Sequence, residues 1–403
     1  MMKKNLSQML TAIFSCGVML LACGFMMTTM TACGSDDDDT PKNPNEGRAA
    51  ADIVYSQQNA AAWGNYMVAV ANLLNKDAST LYERWSTGSN YGGSSYAGYF
   101  KSHNNEDFGS ALNCVEQIID GCTDIASEVG STKIGDPYKL YVAGKTTEAL
   151  YAVESWYSWH SIADYANNIC SIRNAYYGSR NGSVNTNSLS AVLAKSNPEL
   201  DAETKAMIKD AIDKIEAIPD PFRNNINSTQ AKEAMNACTE LSDFLDTQLK
   251  TYFQNTPAVN SDAVLDPVVK QYVDGVVLPT YLDLKNANAA LFAAVQAFHK
   301  NPSNAAFENC AKAWLVSREP WESSEAFLYG PVADLGLDPN MDSWPLDQAG
   351  IVKVLNSQAW AELEWKGDFD EEDDDIASAQ SLRGFHTLEF LIFRDGKART
   401  LND

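Results

Sequence analysis

His386 and Glu389 stand three residues apart in Gly384-Phe385-His386-Thr387-Leu388-Glu389, which continues as Phe390-Leu391-Ile392-Phe393. On a helix this spacing stacks the two side chains on one face, about one turn apart. An imidazole beside a carboxylate can ligate a metal, hold a proton, or simply hydrogen-bond to its neighbours. Residues 376–393 contain no Pro and a single Gly, so one helix is the expected element. Leu382, Phe385, Leu388, Phe390, Leu391, Ile392 and Phe393 would cover most of its surface, so burial is expected on nearly every side. An ionisable pair in such a helix is costly unless partners or a metal compensate it. HxxE is a weak pattern by itself, and no second His stands beside it, so the zinc-protease motifs are absent.

Two further sets of polar residues could face this pair. The stretch 141–177 reads as a helix carrying Glu154, Ser155, Ser158, Ser161, Asp164 and Asn168. All but Ser155 fall in a stripe roughly a third of the circumference wide. A solvent-facing stripe usually holds Lys and long Glu side chains, whereas hydroxyls, an amide and acids suit a wet internal surface. In a helix expected at 303–329, Arg318, Glu322 and Glu325 occupy adjacent turns near Trp314, Trp321, Phe327 and Tyr329. An Arg–Glu pair on a surface contributes little. In an interior, a fork-shaped guanidinium pins a carboxylate in place.

The elements that must position these groups are helical. The 403 residues are short of β-branched runs, which predicts an all-α protein. Helices are expected at about 49–74, 106–129, 141–177, 201–218, 229–253, 268–299, 303–329, 346–364 and 376–393, with a linker at 254–266. This divides the body into two bundles, 49–266 with the Ser/Asp/Asn stripe and 267–403 with the GxHxxE motif, and places the site between them. Pro279 and Pro320 should start or kink their helices. A net charge of −23 argues against a nucleic-acid partner. Seven acids in the eight residues 368–375 read as a solvated loop. No short-period repeat and no Gly-rich phosphate loop is present.

Residues 1–33 have the form of a targeting segment: Lys3 and Lys4, then an apolar run from Met9 to Met27 ending in small residues. Cys23 follows the better lipobox, Leu20-Leu21-Ala22. Cys33 is the expected lipidation site, because Ser35 and the acids Asp36–Asp39 follow it as at the start of surface-exported mature lipoproteins in Bacteroides-like bacteria. Acyl chains on either cysteine would tether the protein to a membrane without spanning it. Residues 34–48 are acidic and rich in Pro and Asn, which suits a flexible tether. Of the later cysteines Cys114, Cys122, Cys170, Cys238 and Cys310, a Cys114–Cys122 bridge is conceivable, but buried free thiols are expected.

The text around these residues resembles the imelysin family, bacterial envelope proteins also classed as peptidases. "VVLPTYLDL", "AWLVSREPWESSEAFLYGP", "SWPLD" and "GFHTLEFLIF" follow one another in the family's order. Ser324 and Trp321 are mild departures, standing where the family usually has Thr and Tyr. The polar segment at about 145–180 resembles one that comes after the GxHxxE motif in most imelysins, so the resemblance implies a circular permutation, which packed helical bodies with neighbouring termini tolerate. It also implies a site built from Gly384, His386, Glu389, Arg318, Glu325 and Trp344, faced by Glu154, Ser155, Ser158, Asp164 and Asn168, with His386, Glu389 and Glu325 as metal ligands.

The expected function is that of a lipid-anchored envelope protein, on the surface or periplasmic face of the outer membrane, binding a metal for iron uptake or sensing. One imidazole with carboxylates suits iron, zinc or manganese better than calcium. The alternatives are a metallopeptidase, for which a full catalytic ligand set is not evident, and a non-catalytic binder of a peptide, glycan or other small ligand. A partner protein in the envelope fits any of these. Cys33→Ala should release the protein from membranes and Cys23→Ala should not. Incorporation of a fatty-acid analogue into the two variants decides which cysteine is acylated.

Overall fold

Two indoles hold the helix that carries His386: Trp63 Nε1 donates to Leu391 O at 3.1 Å, and Trp314 Nε1 to Phe385 O at 2.9 Å. The computed structural model describes residues 53–402, so the leader 1–33, the tether 34–48, Cys23 and Cys33 lie outside the described residues. The principal helices are α1 (Ala60–Ser86), α2 (Ala111–Glu128), α3 (Ser161–Tyr177), α4 (Pro198–Glu216) and α5 (Thr229–Phe244). They are followed by α6 (Leu278–Lys300), α7 (Asn304–Glu322), α8 (Leu337–Asp342) and α9 (Phe385–Ile392). The fold is all-α. Among the described residues, the strands are the two-residue β1 (Phe393–Arg394) and β2 (Lys397–Ala398), paired antiparallel. No described helix is long and apolar enough to cross a membrane.

Local chemistry sets several boundaries. Ser110, Ser228 and Ser303 cap α2, α5 and α7 by accepting backbone N–H bonds from Asn113, Ala231 and Ala306. Pro198 opens α4 and Gly178, at φ 61°, closes α3. Pro279 stands in the first turn of α6, as expected, and Pro320 lies inside α7. A π-helical turn, Val129–Lys133, extends α2 and carries Lys133 toward the interior.

The described residues belong to one compact unit. α1 packs along α6, α6 along α7, and α9 lies against both α7 and α1. On the other flank α3 packs on α7, α2 and α4, while α5 packs on α2 and α4. The chain ends of this body meet, since Arg399 Nη1 donates to Ile53 O at 3.0 Å. Such proximity is what a circular permutation requires, although Ala49 itself lies outside the described residues. All five later cysteines are free, and Cys114 Sγ donates to Phe100 O at 3.2 Å.

Four expected helices are interrupted, each for a physical reason. The 346–364 element stops at Ser357, where Gln358 turns the chain at φ 57°, and ends in the 3-10 turn Trp360–Leu363. The 376–393 element is two helices, Asp374–Gln380 and α9, because Gly384 turns the chain at φ 93°. The 141–177 element breaks after Thr146–Tyr151, turns through 152–160 and resumes as α3. The 303–329 element stops at Glu322, so Glu325 sits on the 3-10 turn Glu325–Phe327.

At Gly384 a Cβ would lie 2.5 Å from Met341 O, in a backbone region that side chains rarely adopt. Gly384→Ala should therefore destabilise the fold by more than about 1 kcal/mol. An unchanged thermal midpoint would show that Gly384 and Met341 are not held together.

Candidate functional site

The turn 152–160 is the unusual piece of backbone. Ser155 (φ 51°) and Trp159 (φ 62°) occupy the left-handed region without being glycine, a strain that neighbouring contacts must hold. Those contacts come from the β1–β2 hairpin and from Arg223. Gly396 N donates to Tyr157 O at 2.9 Å, and a Cβ on Gly396 would meet the Trp159 ring at 2.6 Å. Arg223 lies 3.7 Å over the Trp156 ring and donates to Trp156 O at 3.2 Å.

Held this way, the turn aims three donors at one carboxylate oxygen. Glu389 Oε1 accepts from Tyr157 N (3.0 Å), Ser158 N (2.7 Å) and Ser158 Oγ (2.7 Å). Its other oxygen lies 3.0 Å from His386 Nδ1. Glu389 thus orients the ring and favours a proton on Nδ1, leaving Nε2 for the interior. Nε2 is 3.1 Å from Asp342 Oδ1 and 3.4 Å from Glu154 Oε1, with the Trp344 ring 4.8 Å from the imidazole. Ligand atoms of Glu154, Asp342 and His386 all lie within 4.8 Å of one another, and Glu322, Glu325 and Asp342 form an adjoining group of the same size.

Arg318 touches members of both groups and is fully buried. Its guanidinium reaches Glu154 at 2.5 Å, Glu322 at 2.6 Å, Asp164 at 3.4 Å, and Asp342 in a short contact. The outer oxygens are held as well. Trp321 Nε1 donates to Asp342 Oδ2 (2.7 Å), Asn168 Nδ2 to Glu322 Oε2 (2.6 Å), and Ser155 Oγ to Asp164 Oδ2. Lys133 Nζ adds a second cation, 3.1 Å from Glu154 and 3.8 Å from Glu325.

Burial disfavours charge on every carboxyl here, and the cations decide which stay ionised. Burial acts to raise Glu154, but Lys133, the His386 hydrogen bond and Arg318 hold it down, at about 2. Asp342 is likewise lowered, because Arg318 and His386 outweigh its burial. Glu322 and Glu325 are pushed well above the carboxylate range by burial, and Asp164 is raised for the same reason. His386 is raised well above its ordinary 6.5: burial and Arg318 act to lower it, and Asp342 and Glu154 prevail.

The residues singled out in the sequence are placed as follows. His386, Glu389, Arg318, Trp344, Glu154, Ser155, Ser158, Asp164 and Asn168 all come together, with Gly384 starting the helix that carries His386. Glu389 meets His386 only through Nδ1. Glu325 belongs to the adjoining group and contacts Lys133. Glu154, Ser155 and Ser158 lie on the strained turn, not on a helical stripe with Asp164 and Asn168. Sequence reasoning missed Asp342 and Lys133. Asp342 stands two residues before Trp344 of the "SWPLD" motif, and that adjacency was the available signal.

Residues 37–248 and 277–403 match the family described as Imelysin, a peptidase family. The chain belongs to the imelysin family. It is 56% identical to an imelysin peptidase from Bacteroides ovatus, whose crystal structure superposes with a TM-score of 0.85 over 87% of this chain and 99% of that chain. It is also 32% identical to Iron-regulated protein A of Synechococcus elongatus over 130 residues, 32% of each chain. The chain therefore spans about a third of the length of that curated relative. In this imelysin, removing the central guanidinium leaves several buried carboxyls without their main counter-charge. Arg318→Met should lower stability by roughly 3–5 kcal/mol, read as the shift in denaturant midpoint. A loss below about 1 kcal/mol would mean the pairs are energetically those of a wet surface.

Proposed function

We propose that this imelysin is a cell-envelope lipoprotein, tethered through Cys33, that binds a metal ion at its buried His–carboxylate centre and acts in iron uptake or sensing. The observation that carries the reading is the convergence of His386 Nε2, Asp342 Oδ1 and Glu154 Oε1 within 4.8 Å of one another. Neutral imidazole with two carboxylates suits iron, zinc or manganese, and among these iron is our choice. The name of the Synechococcus relative, Iron-regulated protein A, agrees with this choice.

The donor set passes a charge test. Five carboxyls, those of Glu154, Asp164, Glu322, Glu325 and Asp342, face the permanent cations Arg318 and Lys133, and a sixth, Glu389, faces His386. With every carboxyl ionised, even an imidazolium at His386 leaves negative charge in excess, which protons on the raised carboxyls Glu322, Glu325 and Asp164 offset; Asp164 Oδ1 takes no hydrogen bond. A bound cation would take the place of those protons and of the one on His386. Arg318 opposes it, since Nη2 lies 3.4 Å from His386 Nε2. His386, Asp342 and Glu154 would hold the ion, and Glu389 would keep the imidazole turned toward it. Glu325, expected as a ligand from the family resemblance, serves the adjoining group. The ion would supply charge stabilisation or redox chemistry according to its identity.

A peptidase is the second reading, favoured by the Bacteroides ovatus relative, an imelysin peptidase. A catalytic metal needs an open coordination position, whereas every ligand atom of this centre is enclosed. A non-catalytic site for a small ligand or an envelope partner is the third.

Calorimetry with ferrous, ferric, zinc and manganese ions on metal-free protein tests the first reading. His386→Ala should abolish binding, and Glu154→Gln or Asp342→Asn should weaken it at least about tenfold. Because ligation needs a neutral imidazole, and the folded protein holds the proton on His386 above the ordinary 6.5, affinity should rise with pH through and beyond that value. Native protein binding no ion more tightly than His386→Ala would favour the small-ligand site. Hydrolysis of unfolded protein that disappears with a chelator and with Glu389→Gln would favour the peptidase.

A further inference from the structure

A cleft of about 420 Å³ opens beside the strained turn, lined by Trp159, His160, Ala163, Ala166, Glu216 and Asp220 among others. Its inner wall leads to the centre. His160 is half-buried, and its Nε2 lies 3.8 Å from Asp164 Oδ1. That oxygen is fully buried and takes no hydrogen bond, a costly arrangement for a carboxylate. The other oxygen of the same carboxylate accepts from Ser155 and reaches Arg318 Nε at 3.4 Å. Arg318 in turn touches Glu154 and His386. From cleft to centre, a chain of side-chain contacts therefore runs from His160 to Asp164 and on to Arg318.

We propose that this cleft is the access route to the buried centre and that His160 is its gate, the side chain an incoming cation passes to reach Asp164. The inference rests on the metal-binding reading for its cargo and on geometry alone for its route. Glu216 and Asp220 give the mouth a negative field that attracts cations. The half-exposed imidazole can change rotamer rapidly, while the ring stays edge-on to Trp314 at 6.4 Å in the closed position. The left-handed backbone of Trp159 presents His160 at the start of α3. No group of the His386–Asp342–Glu154 set lines the cleft, so the gate can be altered without touching the ligands.

Stopped-flow tryptophan fluorescence with zinc ion as the probe tests the gate on the purified full-length protein. His160→Trp, and Ala163→Phe one turn along the same wall, should slow association and dissociation together by at least about tenfold, leaving affinity nearly unchanged. Glu216→Gln with Asp220→Asn should slow association alone and flatten its dependence on ionic strength. Unchanged rates in both bulky variants overturn the proposal. So does His160→Ala weakening affinity through faster dissociation only, which would make His160 a ligand. A measurement without metal separates route from cargo: exchange of the carbon-bound Cε1 hydrogen of His386 into heavy water, followed by mass spectrometry. Folded His160→Trp and Ala163→Phe should slow that exchange several-fold. If the native protein binds none of ferrous, ferric, zinc and manganese ions, the metal-binding reading fails; if it binds another of them but not zinc, that ion replaces zinc as the probe. In either case the exchange decides the route: slowing upholds it and unchanged exchange overturns it.

Discussion

A guanidinium without any contact to solvent is the constraint around which this protein is organised. Burying a cation the size of Arg318 costs several kcal/mol unless its hydrogen bonds and charge are answered within the protein. The answers come from four separate places: Glu154 on the strained turn, Asp164 on α3, Glu322 one turn along α7, and Asp342 at the end of α8. None of these pieces can move alone without leaving a charge unpaired in a low-dielectric interior, so the network couples elements far apart in sequence. The apolar walls add to this. Trp314, Trp321 and Phe385 are fully buried around the guanidinium, which lies 5.3 Å from the Phe385 ring.

The two nitrogens of His386 have different surroundings, and the difference explains why a Glu follows three residues later. Glu389 faces away from the carboxylate cluster and spends one oxygen on Nδ1 and the other on the donors of the 152–160 turn. A backbone turn, a carboxylate and an imidazole thus form one chain of hydrogen bonds, which fixes the tautomer at the end facing Asp342 and Glu154. The same turn supplies Glu154 itself. Its strain at Ser155 and Trp159 therefore has a structural return: one irregular segment orients the imidazole and delivers a carboxylate.

Much of this was legible in the residues, and the rest was hidden for identifiable reasons. His386, Glu389 and Arg318 stood out because each is an ionisable group inside a strongly apolar stretch, a conflict visible without coordinates. The polar residues from Glu154 to Asn168 stood out by their lack of Lys. The break in their helix did not, because 146–177 contains no Gly or Pro, and the turn is imposed by Gly396 and Arg223 from elsewhere in the chain. Asp342 was obscured by lying in a short helix with ordinary loop composition, where only tertiary contact with Arg318 and Trp321 gives it meaning. Lys133 was equally silent, since its burial depends on a π-helical turn that sequence periodicity does not announce. Glu325 illustrates the reverse case. Its spacing from Arg318 suggested one helical face, but the helix ends at Glu322 and the side chain is directed to Lys133 instead.

The charge of the centre completes the physical picture. Carboxyls outnumber cations, so the interior can reach neutrality only by taking up protons or by taking up another positive charge. Glu322, Glu325 and Asp164, pushed upward by burial, are the groups that accept protons, whereas Glu154 and Asp342, held down by Arg318 and Lys133, remain ionised beside His386. The consequence for stability has a definite sign. Glu154, lowered from its ordinary 4.5 to about 2, contributes stability that is complete above the ordinary value and is lost as pH falls through the lower one. The raised carboxyls act oppositely, favouring the fold in acid and opposing it once the unfolded chain would ionise them. At neutral pH the lowered carboxylates therefore stabilise the fold and the raised ones oppose it, so the centre's net contribution is a balance of the two sets. An added cation would act on that balance by displacing protons from the raised groups, so its binding and the protonation of the centre are linked.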